Sequence, residues 1–391
     1  MIRSLCWKFK SVDSETELLS NTTLEDKQLG YWKKTYIGHT LTGRQNRLNY
    51  VLKSLENCSG VPGTSQIAKA IKLSGLKWTI TLRDTKGKEF VFEQMDIFFK
   101  ENSLSLLWYG TQLHLLASLT TIQLHGVTSA IFDKSMRPMK NGPRTRSLVA
   151  EYDLRNLENS VHIGQDGLVN LLSPCPGLLL GIWKASSDLA FVMVTHHYHQ
   201  LFEKSILGTT DLTFTIPQHV PILDDIDPHY GLHGYQLHID MHSGPRTYFC
   251  ETFPGLFCRR EYIKNGSLRL SVIGIKNSKQ HAPLAGKVGL LWRTDTFECY
   301  MKNCFILDIT LLDGNKNPFW CISAPVNIRK SRQQDLLFDF MGQNYFLKYE
   351  DPLGTIYADL VWMNETEEFY IVYMKLHLNT DKVNSWFGTH Y

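Results

Sequence analysis

From residue 76 onward the chain repeats one pattern, short runs of alternating apolar and polar residues closed by turn formers. Trp78, Ile80 and Leu82 share one side of the first run, the two-residue period of a half-buried strand. Asp84-Thr85-Lys86-Gly87 then turns the chain into residues 90–99, and Glu101-Asn102-Ser103 turns it into 104–109. These three runs predict an antiparallel meander. Less regular strands are predicted at 113–125 and 148–154. A hairpin is expected from 177–183 and 189–195 around Ala185-Ser186-Ser187-Asp188, with a short helix over 200–207. The central run, 230–251, alternates Tyr235, Leu237, Ile239 and Met241 with Gln236, His238, Asp240 and His242. It predicts a hairpin with one dry and one wet face, turning at His242-Ser243-Gly244-Pro245. Asn265-Gly266 is the strongest hairpin signal and predicts a turn between strands at 260–263 and 268–275. Further strands follow at 287–292, 305–312, 318–323, 345–349, 356–362 and 369–378.

The first 75 residues follow a helical period instead. Thr22 with Glu25 is a capping box opening a helix over 24–37, along which Leu29, Trp32, Tyr36 and Ile37 form a stripe. Thr42 with Gln45 opens a second helix with Leu48, Val51, Leu52 and Leu55 on its buried face. A third, over 64–73, stops at Gly75. Pro217, Pro221 and Pro228 mark a boundary across 209–229. The fold class is therefore mainly β, an antiparallel sandwich and/or barrel, with a helical N-terminal arm. Three regions are expected: a helical region at 1–75, a β-rich domain at 76–208, and a sandwich or barrel at 209–391. Ile80-Thr81-Leu82-Arg83-Asp84 is echoed by Ile309-Thr310-Leu311-Leu312-Asp313, which marks either two related sandwiches or two similar hairpins.

Composition narrows the function classes. The 391 residues are 43% hydrophobic and 20% charged, a globular balance rather than a disordered one. A formal net charge of +3 is too even for nucleic-acid binding through bulk electrostatics. No apolar run is long enough to span a bilayer, and residues 1–10 lack the apolar centre of a secretory signal. The expectation is a cytoplasmic or nuclear protein whose eight cysteines stay reduced.

Catalytic chemistry is hard to find. His238-x-Asp240-x-His242 places three metal-type ligands on one strand face, against the plainer reading that a wet face needs polar residues. Of His196, His197 and His199, the adjacent His196 and His197 would point apart on a strand, and no nearby carboxylate or thiolate completes a site. Asp224, Asp225 and Asp227 have no glycine-centred calcium loop. The sequence holds no nucleophile elbow, phosphate-binding glycine loop or zinc-protease helix. No catalytic residue and no cofactor are expected, and the substrate-binding residues are unassigned. A basic loop at 136–146 reads as a solvated connection before it reads as a grip for an acidic partner.

Several longer stretches carry a resemblance. Gly30-Tyr31-Trp32-Lys33-Lys34 with Tyr36-Ile37, the runs 223–244, 284–295, 317–321 and 360–372, and the closing Trp386-Phe387-Gly388-Thr389-His390-Tyr391 are together similar to the F-box proteins. Tyr230-Gly231-x-His233-Gly234 and 283–288 more faintly resemble the substrate-binding β-barrel of another F-box protein. The resemblance implies a non-catalytic substrate-recognition subunit of a Skp–cullin–F-box type E3 ubiquitin ligase, promoting ubiquitination of bound proteins. Its partners would be protein substrates, a Skp adaptor and a cullin scaffold, with no nucleic acid or membrane. One departure is that residues 1–60 hold no F-box pattern where the family has one ahead of Trp7-Lys8-Phe9. The expectation is thus a body that holds substrate without itself recruiting the adaptor. Two other readings are a lipocalin-like small-molecule-binding barrel and a metal-dependent hydrolase using His238, Asp240 and His242.

Overall fold

The computed structural model describes residues 74–110, 113, 116–129, 142–157, 160–217, 219–221, 227–331 and 342–391, with positions 42–44, 46, 48, 49, 68, 71 and 72 before them. The expected helix over 24–37 and Asp224 and Asp225 lie outside the described residues, as does most of the basic loop. The described positions between 42 and 49, and 68, 71, 72 and 74, are helical. Among the described residues strand makes up 56% and helix 13%, so the mainly-β expectation holds.

In chain order the strands are β1 (Lys77–Asp84), β2 (Glu89–Glu93), β3 (Asp96–Phe99), β4 (Ser103–Tyr109), β5 (Leu119–Ser129), β6 (Arg144–Asp153), β7 (Val161–Gln165), β8 (Val169–Ser173), β9 (Leu178–Trp183) and β10 (Leu189–His197), followed by helix α1 (Tyr198–Leu207). The second series is β11 (Tyr235–Ser243), β12 (Arg246–Leu256), β13 (Ser267–Ile273), β14 (Ala282–Leu284), β15 (Gly289–Arg293), β16 (Glu298–Lys302), β17 (Cys304–Leu312), β18 (Pro318–Asn327), β19 (Arg329–Lys330), β20 (Gln343–Asp351), β21 (Gly354–Met363) and β22 (Glu368–Asn379), followed by helix α2 (Thr380–Phe387).

Four open antiparallel sheets result. Sheet I has the order β2-β1-β5-β6, sheet II β3-β4-β10-β9-β8-β7, sheet III β12-β11-β17-β18, and sheet IV β13-β22-β21-β20-β19 with β14 also on β22. A separate ribbon pairs β15 with β16. Among the described residues no sheet closes into a barrel, which settles sandwich against barrel and removes the basis for a lipocalin-like cavity.

The connectivity repeats. Order β2-β1-β5-β6 matches β12-β11-β17-β18, and β4-β10-β9-β8-β7 matches β13-β22-β21-β20-β19. Each series also ends by running its last long strand into a helix. The side chains of His197 and Asn379 cap those helices, accepting from His199 N and Asp381 N. The chain is thus two sandwiches of one plan. The sequence echo does not report it, because β1 corresponds to β11, whereas the echo joins β1 to β17.

Alternating side chains fill each sandwich. Trp78, Ile80 and Leu82 of β1, Ile122 and Leu124 of β5, and Leu104, Leu106 and Trp108 of β4 share one core with Val192 and Val194 of β10 and with Leu201, Phe202 and Ile206 of α1. Leu48 and Ile71 from the N-terminal helices join it. Leu237, Ile239 and Met241 of β11 meet Ile356, Ala358 and Leu376 of sheet IV in the other core, closed by Val383, Trp386 and Phe387 of α2. Buried indoles keep their N–H groups satisfied. Trp78 donates to Ser205 Oγ at 3.0 Å, Trp320 to Asp351 Oδ2 at 3.0 Å and Trp386 to Asp313 Oδ2 at 3.0 Å.

Sheet II is covered on both faces. Leu107, Leu179, Phe191 and Met193 point away from the first core and pack on Leu290, Trp292 and Met301 of the ribbon and Ile306 of β17. The four sheets therefore stack as I, II, III, IV.

Two expectations are corrected. Residues 90–99 are two strands in different sheets, not one arm of a meander. Gln94 N bonds Trp78 O of sheet I, while Met95 N bonds Leu107 O of sheet II, so the chain changes layer between them. Asn265-Gly266 does form its turn, with φ of 52° and 68° and reciprocal Lys264–Ser267 backbone bonds at 3.0 Å. Residues 260–262, however, form a 3₁₀ turn rather than a strand, and β13 pairs with β22 instead.

Gly126 of β5 lies against α1, and a Cβ there would stand 2.4 Å from Ser205 O. Gly126→Ala is expected to push α1 off sheet I and strain the Trp78–Ser205 bond, costing about 1–3 kcal/mol. Urea unfolding of the two proteins measures it, and an unchanged midpoint would refute this close approach.

Candidate functional site

The outer face of β11 was expected to be wet. Gln236 and His238 are half-buried, but Asp240 and His242 are buried. The reason is the stacking, because sheet II lies over this half of sheet III and its facing residues are polar as well. Ser103 of β4 donates its hydroxyl to Asp308 Oδ2 of β17, and His242 Nε2 lies 2.9 Å from the same oxygen. His197 Nε2 lies 2.8 Å from Thr310 Oγ1, and Thr195 Oγ1 donates to Ser323 O at 2.9 Å. The two sandwiches are joined by a dry polar seam, with the aromatic and aliphatic contacts of sheet II beside it.

Electrostatics in the seam follow from desolvation. Burial raises the Asp240 carboxyl to about 6, partly offset by His242. Burial also pushes Asp308 upward, but the charge of His242 and hydrogen bonds from His242 and Ser103 outweigh it, and its net shift is downward. Lys100, whose ammonium donates to Thr247 Oγ1 at 2.8 Å, is pulled below its ordinary value by burial. Asp240 Oδ1, Asp308 Oδ1 and His242 Nδ1 are buried with no hydrogen-bond partner.

His238, Asp240 and His242 do not converge as a set. The strand splits them between two neighbouring groups with metal-ligand chemistry, Asp240, His242 and Asp308 in one and His238, Glu101 and Cys250 in the other. The histidine run divides too. His196 Nε2 lies 3.3 Å from Tyr152 OH, whereas His197 faces the seam and stacks on His199. Burial lowers His196 to about 4 and His197 to about 3, the latter helped by His199. Asp227 pairs with His233 in a surface turn.

Sequence reasoning missed Asp308, Cys250 and Glu101. Cys250 stands opposite Asp240 in the β11–β12 register, so the hairpin could have nominated it. Glu101 comes from the β3–β4 turn far earlier in the chain, which no spacing rule reaches.

A second feature lies on the outer side of sheet I. A cleft of about 560 Å³ is lined by Arg44, Arg144 and Arg146, with Thr79, Thr145, Thr209, Thr210 and Glu93. Arg44 donates to Gly208 O at 2.8 Å, and Arg144 stands 3.6 Å from Glu93. The Thr79 hydroxyl is buried and has no partner. Three guanidinium groups against one carboxylate make this cleft positive.

Comparison with known proteins is consistent over nearly the full length. The chain is 43% identical over 385 residues to F-box only protein 15 of Homo sapiens, covering 98% of this chain and 75% of that protein. It is 42% identical to F-box only protein 15 of Macaca fascicularis and 38% identical to that of Mus musculus, in each case over 98% of this chain and 88% of the relative. The chain belongs to the F-box only protein 15 family. No protein-family model matches it. Among the described residues of this F-box only protein 15 family member, six cysteines are free and no helix is long and apolar enough to cross a membrane.

The seam makes stability sensitive to acid. His197 stays neutral in the folded chain down to about pH 3, while in the unfolded chain it takes a proton below about 6.5. Its lowered value therefore removes stability as pH falls from about 6.5 toward 3. Asp240 works in the opposite sense, because its raised value returns stability as pH falls through about 6. His197→Gln is expected to lose about 2 kcal/mol less than the parent between pH 7 and pH 5. Urea midpoints at the two pH values test this, and parallel losses would count against a neutral buried His197.

Proposed function

We propose that the chain is the substrate-holding body of a Skp–cullin–F-box type ubiquitin ligase and performs no bond chemistry itself. The observation carrying this reading is its membership of the F-box only protein 15 family over 98% of its length. A receptor of this kind acts by proximity, since holding a target beside a charged ubiquitin-conjugating enzyme raises the effective concentration of its lysines. That task needs a stiff platform, and the stacked sandwiches supply one. In this reading the units 76–208 and 209–391 move as one body, tied through the seam. The Arg44–Arg144–Arg146 cleft takes an acidic segment of the target, whose carboxylates replace water around the guanidinium groups. The adaptor and cullin are reached through an F-box, and the chain itself contributes recognition.

Reconstitution tests the reading. The full chain is joined to the F-box segment of a curated relative and supplied with adaptor, cullin, activating and conjugating enzymes, and proteins that the chain retains from cells. Ubiquitin transfer to a retained protein is expected with the fusion. Arg144→Glu with Arg146→Glu is expected to weaken retention at least about tenfold, or 1.4 kcal/mol. Fusions that leave every retained protein unmodified would overturn the receptor role.

A further inference from the structure

The half-buried group beside the seam has the geometry of a coordination site. Glu101 Oε2 stands 3.7 Å from His238 Nε2. Cys250 Sγ stands 3.9 Å from His238 Nε2 and 3.9 Å from Glu101 Oε2. These long contacts also suit three ligands around one ion. The point equidistant from the corners of that triangle lies about 2.2 Å from each, within the ~2.0–2.3 Å range of zinc bonds to oxygen, nitrogen and sulfur.

The imidazole is set for this role by its other nitrogen. His238 Nδ1 lies 2.7 Å from Thr252 Oγ1. With the ring proton on Nδ1 donated to that hydroxyl, Nε2 carries a lone pair toward Glu101 and Cys250. Such a partner on the far ring nitrogen accompanies nearly every metal-binding histidine. The cross-strand register explains the convergence: His238 faces Thr252 and Asp240 faces Cys250, so His238 and Cys250 are diagonal neighbours on one face.

We propose that Glu101, His238 and Cys250 bind a zinc ion with three protein ligands and a fourth position open to solvent. The donor chemistry chooses the metal, since a thiolate with an imidazole selects zinc over magnesium or calcium. The local charge agrees. The Glu101 carboxylate stands beside the Cys250 sulfur, so a divalent cation placed between them meets a negative partner. Binding releases the thiol proton to solvent as the sulfur becomes a thiolate ligand. Lys100 is the nearby cation, and its ammonium is engaged by Thr247. Glu101 belongs to the turn after β3 in the first sandwich, and the other two ligands to the β11–β12 hairpin of the second. The ion therefore clamps the two sandwiches at the edge of the seam, a role independent of the ligase reading.

Full-length protein stripped with chelator and titrated with zinc chloride provides the test, by calorimetry and elemental analysis. The expected result is one equivalent per chain, a proton released on binding, and a higher melting temperature in zinc. Cobalt(II) in place of zinc is expected to give a thiolate charge-transfer band that Cys250→Ser abolishes. Cys250→Ser, His238→Ala and Glu101→Gln each weaken zinc at least about tenfold, and Thr252→Val about tenfold through loss of the orienting partner. Cys299→Ser, at another exposed thiol, leaves binding unchanged. Because the site is half-exposed, the melting curves of these variants in chelator are expected to match the parent's. Zinc that fails to bind, or that binds equally to the Cys250 and His238 variants, overturns the site.

Discussion

The inner strands of sheet II, β4, β10 and β9, are buried on both faces, and the rest of the structure depends on that. Its strands bury Leu104, Leu106 and Trp108 on one side, and Ser103, Ser105 and Leu107 on the other. A sheet buried on both faces normally reads as a continuous apolar run. Here half of the second face is polar, so it needs a partner sheet that supplies matching groups. Sheet III does so with Asp308, His242 and Thr310. Desolvating a carboxylate costs several kcal/mol unless charge and hydrogen bonds replace water. Asp308 meets the condition through His242 and Ser103, and it needs both of them. A docking shifted by one residue would bring alternate side chains to the seam and leave those groups bare. The seam thus selects one arrangement of the two sandwiches, whereas the apolar part of the interface would tolerate several.

The repeated connectivity gives this selection its setting. Each series forms a sandwich that could be complete alone, with its own core and its own closing helix. What differs is the second copy's insertion, the β15–β16 ribbon, whose Leu290, Trp292 and Met301 cover the apolar half of sheet II. Among the described residues the first copy has no ribbon, and it keeps its β3 strand in sheet II. Stacking follows from the asymmetry: one copy offers an uncovered sheet, and the other offers the cover.

Most strands were legible because alternation is local. The wet face of β11 was not, because burial there depends on a different sheet, whose Ser103 comes from far earlier in the chain. His238, Asp240 and His242 were correctly placed on one strand face, yet their roles come from partners the alternation cannot name. Cys250 was recoverable from hairpin register, and Asp308 only from knowing that β17 lies beside β11. Residues 90–99 misled for a related reason. Their apolar content suits a strand throughout, while the layer change at Gln94 is imposed by the closing of the sandwich. At Asn265-Gly266 the turn geometry was readable from two residues, but strand pairing beyond it was decided by β22.

These elements also explain why charge is concentrated where it is. Along β11 the environment passes from half-exposed at His238 to fully dry at His242, over two side-chain repeats. At the dry end a carboxylate is held by a histidine and a hydroxyl; at the wet end three ligand-type groups stand 3.7–3.9 Å apart. Protein groups alone can neutralise the first arrangement, because donors and acceptors touch. The second is looser: Glu101 and Asp240 bring two carboxylates near the Cys250 thiol, whose contacts to Glu101 and His238 are 3.9 Å long. A single divalent ion between the three ligands would hold them together and draw the β3–β4 turn onto the hairpin, extending to the edge of the interface the pairing that the seam provides at its centre.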